Sequence, residues 1–473
     1  MGLDTTHRVT FFGQEKTETT IRLAKMNLAV HGLEGDIREA NTFYEDVHTL
    51  YGKCDFVMAN PPFNVDMVDA EKVKDDRRLS FGLPGVNKAK KVSNGNYLWI
   101  SYFHSYLKEK GRAAFVMSSQ ANSAGYGEAD VRRKIVETGD VDVMISIRPN
   151  FFYTRTVPCE LWHFDKGKPA ERRDSVLMLD ARNIYRKVTR KIYDFSPEQL
   201  QNLTAVVWLY RGQSDRFLAL VQRYVDRTVH EAAAIANSAD VFRAAYVALE
   251  NAAAPFLETQ PIDSPLHELV KERDEAARAC GQSLDHWTCR IAEKWRQPSE
   301  PTLAAQKTRL TELETLAEAC RDLVKDVDLV CKLAVRVVDV AEKDADARAH
   351  DAWDGRAIGR LEKALDDKRR DIVEQLKTTA YFERQAHWLL TRFPDGVFEP
   401  IPGLCRVVTR KDIEAADWSL TSGRYVGVAP PEVDADFDFE QTLRDIHVEL
   451  DDLNGEAAAL AARIKENFEG LGL

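Results

Sequence analysis

The chain has 473 residues, 44% of them hydrophobic, which is sufficient for two or three domains with cores of ordinary size. No uninterrupted apolar segment approaches the ~20 residues that a membrane helix requires, and no signal peptide is visible, so the cytoplasm is the expected compartment. The seven cysteines are scattered and lack a CxxC pair, which argues against a disulfide framework or a metal site, and the net charge is −11.

Short apolar runs alternate with helical patterns from residue 1 to about 195, as is typical of a mainly parallel α/β sheet. Helices are predicted over 20–31 and 97–108, and the long segment 66–96 is predicted to be a functional loop. The predicted strands cover residues 9–12, 55–59, 113–118, 141–147, 160–164 and 176–179.

Beyond Ser196-Pro197 the composition becomes helical, and apolar residues follow a heptad spacing from Leu303 to Ala341 and again from Leu443 to Ile464. Each of these two heptad-spaced rows of apolar residues, here called a seam, is compatible with helices that pack within one chain or with an intermolecular coiled coil. We expect three regions: 1–200 as an α/β domain, 201–395 as a helical, partly coiled-coil region, and 396–473 as a docking region with a terminal helix.

The residues Asn60-Pro61-Pro62-Phe63 close an apolar run that reads as a buried strand, because a prolyl pair cannot continue it. The resulting turn holds a side-chain amide, a free carbonyl and an aromatic ring together. Asn60 and the Pro61 carbonyl can accept hydrogen bonds from an exocyclic amine while Phe63 stacks on the ring that carries it. The same four residues are also an ordinary exit from a strand into a loop.

Several segments resemble, in the same order, the modification (methyltransferase) subunit of type I restriction-modification systems. They are FFGQEKTETTIRLAKMNLAVHG from Phe11, DFVMANPPFN from Asp55, FGLPGVNKAKKVSNGNYLWISYF from Phe81, GRAAFVMSSQANSAG from Gly111, RPNFFYTRTVPCELW from Arg148 and DWSLTSGRYVG from Asp417. The resemblance implies a Rossmann-like methyltransferase sheet followed by a long helical C-terminal region. Residues 1–200 are accordingly expected to form a partial methyltransferase catalytic domain. It also implies N6 methylation of a flipped adenine in DNA, with S-adenosylmethionine as methyl donor.

The resemblance also assigns residues to the cofactor and to the base. Gly13-Gln14-Glu15 follow the first predicted strand, and Gln14 and Glu15 are candidate cofactor-binding residues, of which Glu15 matches the acidic residue that holds the cofactor ribose. Asn41, the third candidate, stands near the position of an acid beside the cofactor adenine. The family places an aromatic residue near Phe151, Phe152 and Tyr153, so these three are alternative partners for the second face of the base.

One family motif is absent from this sequence. The glycine-rich turn that follows the family's first strand has no counterpart here, and that strand lies in the middle of the family's sheet. We therefore expect the sheet to lack its first strand, and the strands at 9–12 and 55–59 to present unpaired edges. Residues 1–200 alone are expected to be poorly stable or inactive.

The charge is distributed unequally along the chain, and this distribution bears on how the chain holds DNA. Residues 1–200 carry 30 Lys and Arg against 27 Asp and Glu, whereas the remainder carries 35 against 49. Because DNA affinity depends on neutralising phosphates, the chain is expected to hold DNA poorly alone. The resemblance implies a separate specificity subunit and a second methyltransferase subunit, and leaves open whether a restriction subunit joins them. Two alternatives remain: a non-catalytic assembly remnant, and a methyltransferase acting on RNA or on protein glutamine.

Overall fold

A computed structural model describes residues 8–152, 156–189, 191–294 and 300–429, together with individual helical residues between 443 and 464. The chain forms two compact units, Met1–Gly427 and Val428–Leu473. The strands of the first unit are β1 (Phe11–Glu15), β2 (Gly35–Glu39), β3 (Cys54–Ala59), β4 (Val68–Asp69), β5 (Lys91–Val92), β6 (Leu107–Ser118), β7 (Val141–Ile147), β8 (Cys159–Asp165), β9 (Ser175–Asp180), β10 (Arg186–Thr189), β11 (Ile192–Asp194) and β12 (Cys405–Thr409).

Helices cover most of the remainder of this unit. They are α1 (Glu18–Val30), α2 (Ala70–Val73), α3 (Asn96–Tyr106), α4 (Gly127–Glu137), α5 (Pro197–Tyr210), α6 (Ser214–Leu257), α7 (Pro265–Lys294), α8 (Leu303–Lys343), α9 (Gly355–Arg392) and α10 (Arg410–Ala415). Among the described residues, no helix is both long enough and apolar enough to cross a membrane.

The main sheet has six strands in the order β12-β9-β7-β8-β6-β3. Strands β3, β6, β7 and β9 run in one direction, while β8 and β12 run in the other. The prediction of a mainly parallel sheet is therefore wrong, although the α/β class and the helical C-terminal region are confirmed. The prediction fails at β7 and β8, which pair in antiparallel fashion. No described helix stands between these two strands, so β8 returns directly beside β7.

All six predicted strands are present, with bounds shifted by up to six residues. The helix predicted over 97–108 ends at Tyr106, because Leu107 already begins β6. Sequence patterns did not indicate β2, the β10–β11 hairpin or β12. The sequence of β2, GDIRE, is short and mostly polar, so it carries no apolar alternation from which to predict a strand.

Among the described residues, β3 has a neighbouring strand on one side only. Within the described residues, β3 pairs only with β6, and β1 pairs only with β2 in a separate parallel pair. The side chains of Phe56 and Met58 on one face of β3 are 72% and 86% exposed, and Phe12 in β1 is 48% exposed. The expected unpaired edges and uncovered apolar side chains are therefore present in the structure.

The segment predicted as a long loop, 66–96, has secondary structure of its own. Strands β4 and β5 pair in antiparallel fashion, and α2 follows β4 directly. Val68, Val73 and Val92 are almost fully buried in a small core beneath the segment, which therefore packs as a folded subdomain beside α3.

Helices α6 to α9 pack on one another around a large shared core. The first heptad seam lies along α8, and its side chains from Leu310 to Ala341 are mostly buried in that core. This seam accordingly packs within the chain. The second seam lies in the unit Val428–Leu473, where Leu443, Ile446 and Leu450 are exposed and Leu453 lies outside the described residues.

The segment from residue 403 to 427 joins the main sheet. Strand β12 pairs with β9, the Ser422 hydroxyl donates to the Met144 carbonyl in β7, and Asn122 exchanges hydrogen bonds with Leu420. The SGRYVG sequence thus packs against the edge at which β7 ends. The division into 1–200, 201–395 and 396–473 remains a proposal.

Candidate functional site

The candidate site lies along one edge of the main sheet. Because β3, β6, β7 and β9 run in the same direction, their carboxyl ends meet there, and open α/β sheets bind ligands at such edges. The Asn-Pro-Pro-Phe turn follows β3, and the aromatic sequence at 151–153 follows β7. Glu15 and Asn41 follow the ends of β1 and β2, which run parallel to each other.

The turn presents the groups that the sequence predicted. The Asn60 side chain is exposed, Pro61 is buried, and Phe63 is half-buried with its ring against the core beneath the sheet. Among the described residues, neither the Asn60 amide nor the Pro61 carbonyl is engaged in a hydrogen bond. The exposed Asn60 oxygen is therefore available to accept a hydrogen bond from an incoming amine, and the carbonyl of the buried Pro61 has no competing donor among the described residues.

Three asparagines, here called the amide clamp, fix the backbone directly after the turn: Asn64, Asn94 and Asn96. The Asn64 backbone N–H donates to Asn96 Oδ1 at 2.8 Å, and Asn96 Nδ2 returns a bond to Asn64 Oδ1 at 2.9 Å. Asn94 Nδ2 also donates to Asn64 Oδ1, at 3.2 Å. Asn64 itself has a positive φ of 54°, which asparagine tolerates better than most residues.

The clamp requires a close backbone approach at Gly95. Its N–H donates to the Val65 carbonyl at 2.7 Å, and a Cβ at Gly95 would lie 3.1 Å from that oxygen and 3.2 Å from the Phe43 ring. Sequence reasoning missed the clamp as a functional feature. Its only signal is the concentration of amides in SNGN, some 30 residues after the turn it supports.

Of the three stacking candidates, the structure describes two. The Phe151 ring packs against Phe195 with centroids 4.6 Å apart, and Phe152 is half-buried. Tyr153 lies outside the described residues. The Phe151 ring is thus engaged in packing. Among the described residues, the Phe152 ring has no aromatic packing partner.

Glu15 is positioned to hold a ribose. It ends β1 half-buried at the edge, and its carboxylate has no partner among the described residues. Two vicinal hydroxyls can donate to such a carboxylate. Its neighbour Gln14 has a different role, because its amide donates to the Glu45 carbonyl at 3.1 Å and accepts from the Val47 N–H at 3.2 Å. Gln14 therefore holds the backbone at residues 45–47.

Asn41 can use both ends of its side-chain amide. Its Oδ1 accepts the Phe43 N–H at 3.2 Å in a local turn and keeps a second lone pair, and Nδ2 has no partner among the described residues. The oxygen can therefore accept from an adenine amine, and the nitrogen can donate to a ring nitrogen of adenine. The residues present fit the ribose and, in part, the base of a nucleoside cofactor.

A buried acidic cluster lies at the same edge, and no sequence pattern indicated it. The Ser146 hydroxyl at the end of β7 lies 3.0 and 2.8 Å from the two carboxylate oxygens of Glu160. Burial, together with the smaller effect of the neighbouring Asp180 carboxylate, raises the pKa of Glu160 to about 7. Arg182 neutralises Asp180 with three side-chain hydrogen bonds, of 2.9, 3.1 and 2.5 Å.

Comparisons with known proteins agree on the family. The family described as N-6 DNA Methylase matches residues 2–239. The chain is 33% identical over 213 residues to the "Type I restriction enzyme MjaIX methylase subunit" of Methanocaldococcus jannaschii, covering 44% of this chain and 37% of that protein. It is 30% identical over 204 residues to the HindI methylase subunit of Haemophilus influenzae, covering 42% and 43%.

Among solved structures, the type I restriction-modification methyltransferase subunit of Streptococcus thermophilus aligns with a TM-score of 0.37 and 24% identity, covering 41% of each chain. The chain spans about two fifths of the length of the relatives it matches.

Proposed function

Because the chain belongs to the N-6 DNA methylase family, we propose that it methylates the N6 amine of adenine in DNA, as the modification subunit of a type I restriction-modification system. The observation that carries this proposal is the exposed turn after β3, where the Asn60 amide and the Pro61 carbonyl have no partner among the described residues. The donor is S-adenosylmethionine, which supplies an activated methyl group when bound.

The proposed chemistry depends on positioning. The Asn60 Oδ1 and Pro61 carbonyl accept the two hydrogens of the adenine amine, which directs the nitrogen lone pair toward the methyl group. Asparagine accepts these bonds without a full charge, so its own protonation does not interfere. Phe63 stacks on the base and offsets part of its unstacking cost, which amounts to a few kcal/mol.

The remaining residues act around this turn. Glu15 binds the cofactor ribose, Asn41 donates to its adenine, and Gln14 holds the segment 45–47 that lies beside them. Phe152 or Tyr153 covers the second face of the target base. The amide clamp keeps the turn at a fixed distance from α3, so we count its members as positioning residues.

Assembly forms the second part of the proposal. The printed names of the relatives are those of methylase subunits, and we propose that this chain works with a specificity subunit, a second methyltransferase subunit and DNA in the cytoplasm. The surplus of 14 acidic over basic residues after residue 200 is consistent with a partner that supplies part of the DNA contact.

The test is methyl transfer from radiolabelled S-adenosylmethionine to duplex DNA, with the specificity subunit present. Asn60→Ala removes one of two acceptors and should lower transfer by about 100-fold, the scale seen when one preorganised hydrogen bond is lost at a reacting centre. The matched control is Asn237→Ala, which changes an exposed asparagine on α6. Equal transfer by both variants would contradict the site, and label appearing in RNA or protein would favour the alternative substrates.

A further inference from the structure

A basic hairpin stands at the same edge of the sheet as the candidate site. It comprises residues 182–194 and begins directly after β9, with Arg186 paired to Asp194 and Lys187 to Tyr193 in the β10–β11 ladder. All four residues of β10 are exposed, including Val188 at 44%. The hairpin therefore presents one strand to solvent on both faces.

The charge of this hairpin is opposite to that of the chain as a whole. Residues 182–194 contain five Lys and Arg and one acidic residue, Asp194, in a chain of net charge −11. Two carboxylates bind arginines of the hairpin: Asp180, just before it, holds Arg182, and Asp194 holds Arg186 at 2.7 Å. The Arg186 side chain is still 55% exposed, so its remaining donors face solvent.

The base of the hairpin is rigidly attached to the end of β7. The Arg148 guanidinium lies 3.8 Å from the ring centroids of both Tyr185 and Tyr193. The Tyr193 N–H donates to the Asn150 carbonyl at 3.0 Å. Arg148 Nε is buried and has no hydrogen-bond partner among the described residues, and the two rings hold this cation by cation–π contact.

This attachment places the hairpin next to the aromatic candidates. Asn150 directly precedes Phe151, and Phe151 packs on Phe195, the residue after the hairpin. A molecule that reaches the candidate site along this edge of the sheet passes the exposed side of β10. A basic strand fixed beside such a site is suited to hold a polyanion in register with it.

We propose that the basic hairpin binds the phosphate backbone of the DNA duplex beside the flipped base, with Arg186 and Lys187 as its principal contacts. This proposal rests on the proposed function for the identity of the polyanion. Phosphate contacts position a protein on DNA without reading its sequence, so the hairpin contributes affinity and register. Base reading remains with another subunit.

The test is fluorescence anisotropy of a labelled 30-bp duplex with the full chain, without S-adenosylmethionine, between 20 and 200 mM salt. Replacing Arg186 and Lys187 by glutamine removes two phosphate contacts and should lower the slope of log K against log salt by about 1.8. At 0.1 M salt the same change weakens binding by up to about 60-fold. The double variant Lys325→Gln/Lys343→Gln removes the same charge from exposed ion pairs of the helical region, and should bind like the wild-type chain.

The outcomes separate this proposal from the proposed function. Weakened binding by the hairpin variant, with Asn60→Ala binding DNA normally, supports the hairpin even when no methyl transfer is detected. The proposal is overturned if the hairpin variant binds like the control, or if the wild-type chain fails to bind DNA at 20 mM salt. Loss of a protein partner, with DNA affinity unchanged, would assign the hairpin to an acidic protein surface.

Discussion

Glu160 offers the most direct test of the buried cluster at the carboxyl edge. Its side chain is 4% exposed, it lies in β8 between β6 and β7, and it shares the Ser146 hydroxyl between its two oxygens. The replacement Glu160→Gln preserves its shape and the bond to Ser146 while removing the ionisable group. The glutamine side chain at position 160 is therefore neutral at every pH.

The sign of the effect follows from the direction of the pKa change. The pKa of Glu160 rises from 4.5 to about 7, so between these values the folded chain keeps a proton that the unfolded chain has released. The stability that this proton provides is fully present below pH 4.5 and is lost as pH rises through 7. At 1.36 kcal/mol per pH unit, the loss amounts to about 3 kcal/mol.

Urea denaturation of the full chain at pH 4.5, 6 and 8 measures this loss. We expect Glu160→Gln to match the wild-type chain at pH 4.5 and to exceed its free energy of unfolding by about 3 kcal/mol at pH 8. Glu383 in α9 is a positive comparison, because burial raises its pKa to about 7 as well. Glu414→Gln, on an exposed turn of α10, should leave the pH dependence unchanged. A Glu160→Gln variant that loses stability with pH as steeply as the wild-type chain would refute the reasoning.

Two further predictions concern the turn and the uncovered strand. Asn96→Ala removes both bonds between Asn96 and Asn64. The free energy of unfolding, measured by urea denaturation, should therefore fall by about 2–4 kcal/mol, and methyl transfer should decrease. Unchanged transfer would show that the clamp does not position the turn. Replacing Phe56 and Met58 by threonine should change the free energy of unfolding by under about 1 kcal/mol, because both side chains are largely exposed. The same change should reduce light scattering by aggregates at high protein concentration. A loss of free energy of unfolding above about 2 kcal/mol would mean that these side chains are covered in solution.

The turn after β3 could be identified as a candidate site because its residues are contiguous. Asn60 to Phe63 carry strand termination, acceptors and an aromatic ring within four positions, so local chemistry suffices. The amide clamp joins residues about 30 positions apart, and Glu160 meets Asp180 only through the sheet order. Such contacts depend on topology, which periodicity does not contain.

The same reasoning explains the errors in the sheet. Strand–helix alternation predicts parallel neighbours, yet β8 returns beside β7 without a described helix, and β12 arrives from more than 200 residues further along the chain. Gln14 illustrates a similar difficulty for side chains. Its place after a strand suggested a cofactor contact, whereas both ends of its amide bind the backbone of residues 45–47.

The two halves of the candidate site are joined through the segment 41–53, since no described strand pairs β1 with β3. On one side, His48 Nε2 lies 2.9 Å from the Gly13 carbonyl of β1. On the other, the Tyr102 hydroxyl donates to the Phe43 carbonyl at 3.0 Å, and the Gly52 N–H donates to Ser105 at 2.9 Å, both in α3.

These few bonds hold the end of β1, where we propose that the cofactor ribose binds, relative to the turn after β3. Methyl transfer requires donor and amine to be aligned, and a displacement of 1 Å can lower its rate by about 100-fold. DNA binding by the hairpin depends instead on β7 and β9, on the far side of β8 and β6 from this segment. Changes within 41–53 should therefore impair transfer far more than DNA binding.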